Sequence, residues 1–532
     1  MTPEEWIAHD PDPVTAAELA RCDPADLAAH FARPLTFGTA GLRGPVRGGP
    51  AAMNLAVVLR ATWAVAKVLT ERDVAGSTVF VGREARHGSA AFAVAAAEVL
   101  AAAGFSPTLF PRPVPTPVLA FAVRHTGAAA GIQITASHNP PADNGYKVYL
   151  DGGIQIISPT DREVETAMAA APFADEIARA HVEPADPGLI EQYIERAARL
   201  RRSSGPLRVA LTPLHGVGGD VAVETLRRAG FGDVHTVASQ FRPDPDFPTV
   251  RFPNPEEPGA TDALLALADD VDAEVAIALD PDADRCAVGI PTPAGWRMLS
   301  GDETGWLLGD FILSRTEPSE LATSVVASTV VSSGMLSAIA AHWGARHVET
   351  LTGFKWLARA DADVPGGTLI YAYEEAIGHC VDPAAVRDKD GISAAVLACD
   401  LVATLMLADR SVLDALDDLA LRYGVHVGAA VSRPVSDADE ASALMHRLRA
   451  SPPSRLAGFA STTTDLMPRT DALIFTGGGA GTTARVVVRP SGTEPKVKFY
   501  IEVGSTVTED LAGVRRRATA LRDELASSVQ RW

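Results

Sequence analysis

From Thr78 onward the chain alternates short apolar runs with Ala-rich amphipathic ones. Thr78–Gly82, Gly131–Thr135, Leu207–Leu211, Val275–Leu279, Ser324–Ser328 and Thr368–Tyr373 have the length and bulk of buried strands. Ser89–Ala103, Val217–Ala229 and Gly334–Trp343 have the spacing of helices. A strand that is apolar on both faces needs cover on both, and a crossover helix supplies it. The alternation therefore predicts βαβ units with mixed or parallel sheets. Boundaries expected near Ser203–Pro206, Ser314–Ser319 and Val425–Pro434 divide the chain into four modules, 1–205, 206–315, 316–428 and 429–532. At 532 residues, three or four domains of roughly 150 residues are expected. The first three modules share a size and a pattern. The last carries strand candidates at Arg485–Arg489 and Lys496–Val503 and a closing helix at Glu509–Gln530. The expected class is α/β, three similar α/β domains with mixed sheets followed by a smaller α+β domain.

A net charge of −19 argues against a nucleic-acid or anionic-membrane surface, though not against a locally basic phosphate site. The start Met1–Trp6 is acidic and has no apolar core, and the long apolar runs are broken at Glu98 and Asp400. Neither a signal peptide nor a membrane span is expected. Cys22, Cys286, Cys380 and Cys399 form no Cys-x-x-Cys pair or zinc spacing, which fits a reducing cytoplasm. Only six of the 47 basic residues are lysines: Lys67, Lys147, Lys355, Lys389, Lys496 and Lys498. With arginine at nearly every generic surface position, a surviving lysine marks a place for a compact ammonium. All but Lys67 fall in Gly- or Asp-rich segments.

Ile132 to Pro140 runs from an apolar strand into the polar turn Thr135-Ala-Ser-His-Asn-Pro140, presenting the Ser137 hydroxyl with His138 beside it. A hydroxyl at a strand end is held by the sheet yet reachable, but it needs a base or a metal to react. A plain polar turn is the competing reading. After the strand Val275–Leu279 comes Asp280-Pro-Asp-Ala-Asp-Arg285. Three carboxylates within five residues repel unless a cation neutralises them, and hard oxygen ligands suit Mg²⁺ beside phosphate. An EF-hand would need Gly and Glu where Arg285 and Pro291 stand. Arg285 also argues against a merely solvated acidic turn, since its guanidinium can grip a phosphoryl oxygen.

Val487 to Pro495 contains Arg489, Ser491, Gly492 and Thr493, a guanidinium fork, two hydroxyls and closely spaced N–H groups that make a phosphate cradle. A plain β-turn is the alternative. Tyr373-Glu-Glu-Ala-Ile-Gly-His379 places Glu374 and Glu375 at a strand end, where they can accept hydrogen bonds from sugar hydroxyls or sit as surface acids. In Phe37-Gly-Thr-Ala-Gly-Leu-Arg-Gly44 the glycines permit close approach and Arg43 can reach an anion. Leu351-Thr-Gly-Phe-Lys355 and Asp388-Lys-Asp-Gly391 each hold a scarce lysine. Together these pieces match phosphoryl transfer to a hydroxylated substrate, where positioning and charge neutralisation carry the catalysis.

In content and order these motifs resemble the α-D-phosphohexomutase family, which includes phosphoglucomutases and phosphomannomutases, over essentially the whole chain. The resemblance implies four domains around a central cleft. It implies that Ser137 carries a phosphoryl group and that one Mg²⁺ is held by Asp280, Asp282, Asp284 and a phosphoserine oxygen. A phosphorylated sugar would be converted through a sugar bisphosphate, between C1 and C6 of a hexose. His138 and Lys389 would move protons with Lys147 nearby, and Arg43 and Arg285 would neutralise the transferring group. Thr352, Gly353, Lys355, Glu374 and Glu375 would bind sugar. Arg489, Ser491, Gly492 and Thr493 would hold the non-reacting phosphate. A cytoplasmic monomer or homodimer is implied.

One segment departs from the common Gly-Glu-x-Ser-Gly sugar loop: Glu374 replaces the first Gly and Ile377 the Ser. That variant, with Asp388–Gly391 and Thr352–Trp356, is similar to the branch containing phosphopentomutase and a second type of phosphoglucomutase. A pentose 1-phosphate to 5-phosphate conversion is therefore the alternative. Less favoured are a sugar-phosphate phosphatase and a non-catalytic sensor, which has no need of a phosphorylatable serine. A serine esterase would need Gly at positions 135 and 139, where Thr135 and Asn139 stand.

Overall fold

A computed structural model describes residues 1–38, 41–150, 152–186, 188–491, 496–508 and 510–532. The chain forms two compact units, Met1–Gly301 with Ala376–Leu407, and Asp302–Glu375 with Ala408–Trp532.

The first unit holds two sheets. One contains β1 (Leu42–Pro45), β2 (Thr78–Arg83), β3 (Ser106–Leu109), β4 (Ala130–Ile134), β5 (Asp143–Leu150) and β6 (Ile154–Gln155) in the order β1-β5-β4-β2-β3, with β6 on β5. β2 runs parallel to β3 and β4, whereas β5 returns antiparallel to β4. Every residue of β4 is buried, as a strand covered on both faces requires. Its cover includes the helices Ser89–Ala102 and Thr116–Thr126, and the helix Leu55–Glu71, capped by the Asn54 side chain, packs on the first of these. The second sheet contains β7 (Arg208–Thr212), β8 (Asp233–Thr236), β9 (Val275–Leu279), β10 (Cys286–Thr292) and β11 (Gly295–Met298), ordered β11-β10-β9-β7-β8. The helix Gly391–Leu407 returns to this unit and packs on β9, β10 and two neighbouring helices. Asp400, the charge in that apolar run, is fully buried and accepts the N–H groups of Arg202 and Ser203, the latter at 2.8 Å. Among the described residues no single helix is long and apolar enough to cross a membrane.

In the second unit β12 (Ser324–Thr329) pairs in parallel with β13 (Arg346–Thr350) and β14 (Thr368–Glu374), and the helix Met335–Trp343 crosses between the first two. β15 (Gly378–Cys380) belongs to the first unit. An antiparallel sheet follows: β16 (Val425–Pro434), β17 (Arg455–Leu456), β18 (Phe459–Asp465), β19 (Leu473–Gly479), β20 (Thr482–Pro490) and β21 (Lys496–Ser505), ordered β16-β21-β20-β19-β18-β17. The helix Leu511–Val529 packs on β16 and β21.

The mixed α/β sheets and the differing C-terminal sheet match the expected fold class. Val425–Pro434, near which the sequence places a boundary, is the edge strand β16, in register with all of β21. Its half-exposed alternation and terminal proline suit an edge, and they also make it look like a loop. The closing helix begins at Leu511 with Asp510 as its cap; Glu509 lies outside the described residues.

Candidate active site

β2 and β4 end side by side, as do β7 and β9, so the loops after these parallel strands open at the carboxyl edges of their sheets. That is where open α/β sheets place ligands. Beyond β4, the Ser137 N–H donates to Thr135 Oγ1 at 2.8 Å and the residue takes φ +53°, turning its hydroxyl away from the strand. Ser137 Oγ then donates to Asp280 Oδ2 at 2.7 Å and lies 3.2 Å from His138 Nδ1. Burial, aided by Arg285 and Arg43, holds the His138 pKa well below the usual imidazole value, so the ring is neutral at pH 7 and can accept a proton.

Beyond β9, Asp280, Asp282 and Asp284 are all fully buried, and one oxygen from each lies within 4.8 Å of the others. Lys147 on β5 donates to Asp282 at 2.7 Å and to Asp284 at 2.8 Å, and Lys389 Nζ stands 3.3 Å from Asp284. Burial works against the Lys147 ammonium, but the two aspartates outweigh it and its pKa lies above the ordinary lysine value. Burial likewise opposes the charge on Asp282 and Asp284, and Lys147 foremost among the cations pulls both below the usual carboxylate range. Among the described residues Asp280 has no lysine partner; burial and its two acidic neighbours push it well up. The Oδ1 atoms of Asp282 and Asp284 are buried and have no hydrogen-bond partner among the described groups. Buried carboxylate oxygens without a hydrogen-bond donor among the described groups fit a hard divalent cation.

Arg43 on β1 reaches Asn139 Oδ1 at 3.1 Å, and Arg285 donates to the Ala376 carbonyl at 2.6 Å with its Nε 3.9 Å from Asp284. Two glycines are required by close approach. A Cβ on Gly41, at φ +87°, would meet the Tyr146 carbonyl oxygen at 2.2 Å, and one on Gly391 would meet that of Arg285 at 2.3 Å. Gly391 in turn donates its N–H to Ala283 O at 3.1 Å, which seats the Asp388–Gly391 loop on the aspartate loop. The structure thus brings Ser137, His138, Lys147, Lys389, Arg43, Arg285 and the three aspartates together in the first unit.

The other predicted residues belong to the second unit. Thr329 and Thr350 are in register and β14 runs beside them, so Thr352–Lys355, the turn after β12 and Glu374–Glu375 share one carboxyl edge. Gly353 takes φ +103°. Glu375 accepts from Thr329 Oγ1 at 3.1 Å and Ser332 Oγ at 3.2 Å, and burial, reinforced by Glu374, raises its pKa. Arg489 at the end of β20 hydrogen-bonds Tyr500; burial first and Glu375 next push that phenol up. Ser491 donates its N–H to Lys496 O at 2.8 Å. Gly492 and Thr493 lie outside the described residues. Ile377, standing where the common loop has Ser, is 2% exposed in the core of the second sheet, despite a φ of +54° that β-branched residues avoid.

Sequence reasoning missed Thr116, which donates its hydroxyl to Asp282 Oδ2 at 2.5 Å and its N–H to Asp282 O at 2.9 Å. It missed Tyr149 and Gln155, both donating to Asp388 at 2.7 Å. It also missed Glu84 and Arg86, buried beneath the Ser137 loop. The only signal for the last two was charge immediately after an apolar strand.

Models of the phosphoglucomutase/phosphomannomutase family match this chain in order: α/β/α domain I at residues 34–175, domain II at 191–292, domain III at 300–423 and the C-terminal domain at 479–513. A Haemophilus influenzae protein named probable phosphomannomutase is 38% identical, covering 85% of this chain and 93% of its own. A Schizosaccharomyces pombe protein named probable phosphoribomutase is 34% identical over 94% and 92%. The crystal structure of a family protein from Burkholderia thailandensis, 21% identical, superposes with a TM-score of 0.68 over 91% of this chain and 97% of that one, a likeness of fold. By its domain order, its relatives and its buried aspartate triad, the chain belongs to the α-D-phosphohexomutase family and is a phosphomutase, an isomerase that transfers a phosphoryl group intramolecularly.

Proposed function

We propose that this enzyme moves a phosphoryl group between C1 and C6 of a hexose phosphate, with Ser137 as the covalent carrier. One contact carries the reading: Ser137 Oγ lies 2.7 Å from Asp280, inside a cluster of carboxylates with bare oxygens. In the first half-reaction a sugar hydroxyl oxygen attacks the Ser137 phosphoester. The P–Oγ bond breaks, a P–O(sugar) bond forms, the sugar hydroxyl proton passes to a nearby base and Ser137 Oγ takes up a proton as it leaves, giving a sugar bisphosphate and a free Ser137 hydroxyl. The second half-reaction returns the other phosphoryl group to Ser137. Neutral His138, against Ser137 Oγ, and Lys389 are placed to move those protons. Asp280, Asp282, Asp284 and an oxygen of phosphorylated Ser137 would hold Mg²⁺, which would supply charge neutralisation for the transferring group. Lys147 fixes Asp282 and Asp284 while charged. Arg43 and Arg285 face the phosphoryl group, Glu374, Glu375 and the Thr352–Lys355 turn bind sugar, and Arg489 with the Ser491–Thr493 turn holds the distal phosphate. These roles follow the four modules 1–205, 206–315, 316–428 and 429–532.

A pentose phosphate is the second reading. It is supported by the buried Ile377 in place of a hydroxyl and by the phosphoribomutase name of one relative. The test is kcat/KM measured side by side for glucose, mannose and ribose 1-phosphates with product identification, alongside intact-mass analysis of the purified protein. A partial phosphate mapping to Ser137 and an isomeric sugar phosphate support the mutase. Release of inorganic phosphate as the main product, or phosphate only elsewhere on the chain, overturns it.

A further inference from the structure

Arg86 has a fully buried guanidinium and Glu84 is only 2% exposed; the two form an ion pair, Arg86 Nε to Glu84 Oε1 at 2.6 Å. Both follow β2, whose end lies beside that of β4, and Glu84 N–H continues the pairing by donating to Ile134 O at 2.9 Å. The remaining guanidinium nitrogens are spent on main chain. Nη2 donates to the carbonyls of Ser137 and Asn139, each at 2.7 Å, and Nη1 to those of Pro140 at 2.6 Å and Asp143 at 3.0 Å. Glu84 Oε1 meanwhile accepts from the Thr135 hydroxyl and the Ala136 N–H, each at 2.8 Å. The same Thr135 hydroxyl oxygen receives the Ser137 N–H. Phe247 covers the guanidinium, its ring centre 5.0 Å away.

We infer that Glu84 and Arg86 are positioning residues that hold Ser137 in its left-handed backbone conformation and aim its oxygen at the metal loop. The inference rests on Ser137 being the phosphoryl carrier. A non-glycine residue at φ +53° persists only where its surroundings over-determine it. Here the Arg86 fork holds four carbonyls, and Glu84 holds the Thr135 hydroxyl that receives the Ser137 N–H. Lysine offers three donors from a point, so it cannot reproduce the five-donor pattern although it keeps the charge. Misplacement of a reacting atom by about 1 Å is enough to cost roughly 100-fold in rate.

The test measures kcat and KM separately for Arg86→Lys, Glu84→Gln and Thr135→Val, with a hexose 1,6-bisphosphate present and glucose 1-phosphate as the varied substrate. Circular dichroism confirms folding, and mass spectrometry follows rephosphorylation of Ser137 by the bisphosphate. The expected result is a kcat loss of about 100-fold for Arg86→Lys and about tenfold for the other two, with KM within threefold of the parent and Ser137 rephosphorylation slowed in parallel. Thr135→Val leaves the ion pair intact, so it reports on the linkage even if Arg86→Lys does not fold. Parent-like kcat in the folded variants, or a loss residing in KM, overturns the inference. Ser137→Ala run in parallel separates the two readings: an inactive Ser137→Ala beside an active Arg86→Lys removes only the positioning role, whereas an active Ser137→Ala removes the carrier itself.

Discussion

Each unit holds a cluster of acids, fully buried in the first and half-buried in the second, and the two clusters are balanced in opposite ways. In the first, Asp282 and Asp284 face two ammoniums, and their pKa values fall despite burial. In the second, Asp302 accepts from neutral donors among the described residues, the Ser333 N–H and the Tyr373 hydroxyl, each at 2.8 Å, and burial pushes it up to about 7. Glu375 is held by two hydroxyls and also rises, whereas Glu502, against His426 at 2.8 Å, falls. Burial alone therefore does not set the charge state of an acid; a formal cation in contact does. Asp282 and Asp284 stay ionised across the physiological range, whereas Asp280 beside them is pushed up. The second contains a group that titrates near neutrality.

The contrast is broken most severely at Ser137. Ser137→Ala should lower turnover by about 10⁴-fold or more while leaving the carboxylates in place; residual activity near the parent's would remove the first cluster from the chemistry. Asp282→Asn should cost about 10²–10³-fold in kcat with the fold intact by circular dichroism, since one bare oxygen donor becomes an amide. Unchanged turnover would show that the loop binds no catalytic metal. Arg489→Ala should raise KM about tenfold for every sugar phosphate offered; an effect confined to one sugar would shift Arg489 from gripping phosphate to choosing sugar.

Asp302→Asn sharpens the second half of the comparison. Raising the folded pKa from 3.8 to about 7 means the unfolded chain loses this proton first. The group's stabilising effect is thus complete below about pH 4, declines as pH rises, and is gone above about 7. The variant lacks that decline, so its stability relative to the parent should improve by roughly 1–3 kcal/mol between pH 4 and pH 8 in urea titrations. A difference flat with pH would show that Asp302 does not titrate there. The smallest effect is expected at Lys67, paired with Glu71 on an exposed helix face. Lys67→Ala should change stability by less than about 0.5 kcal/mol, the usual worth of a solvated ion pair.

The residues legible in sequence were those announced by a local pattern. A polar turn after an apolar strand pointed to Ser137, and alternate carboxylates pointed to the buried aspartate cluster. Scarcity of lysine pointed to Lys147 and Lys389, and both lie on the aspartates. Lys67, the one outside a Gly- or Asp-rich segment, is the one in an exposed i,i+4 pair. Glu84, Arg86 and Thr116 were illegible because each acts across a long sequence separation with no motif around it, 51 residues from Glu84 to Thr135 and 166 from Thr116 to Asp282. The edge strand Val425–Pro434 was lost to its own weak alternation. The N-terminal helix Pro3–Ala8 was overlooked although Thr2 and Glu5 form a capping box around Pro3, a purely local signal.

The return of Ala376–Leu407 to the first unit has a consequence for the nascent chain. When Asp284 leaves the ribosome, the segment bearing Lys389 is about 105 residues from being made, roughly 5–20 s at ordinary translation speeds. Until then the three aspartates have Lys147 as their one ammonium, and β9 and β10 lack the apolar helix that later shields them. Vectorial synthesis therefore leaves the catalytic half of this enzyme half-neutralised and uncovered at one flank. Its last clasp closes only after the strands of a different unit have already emerged.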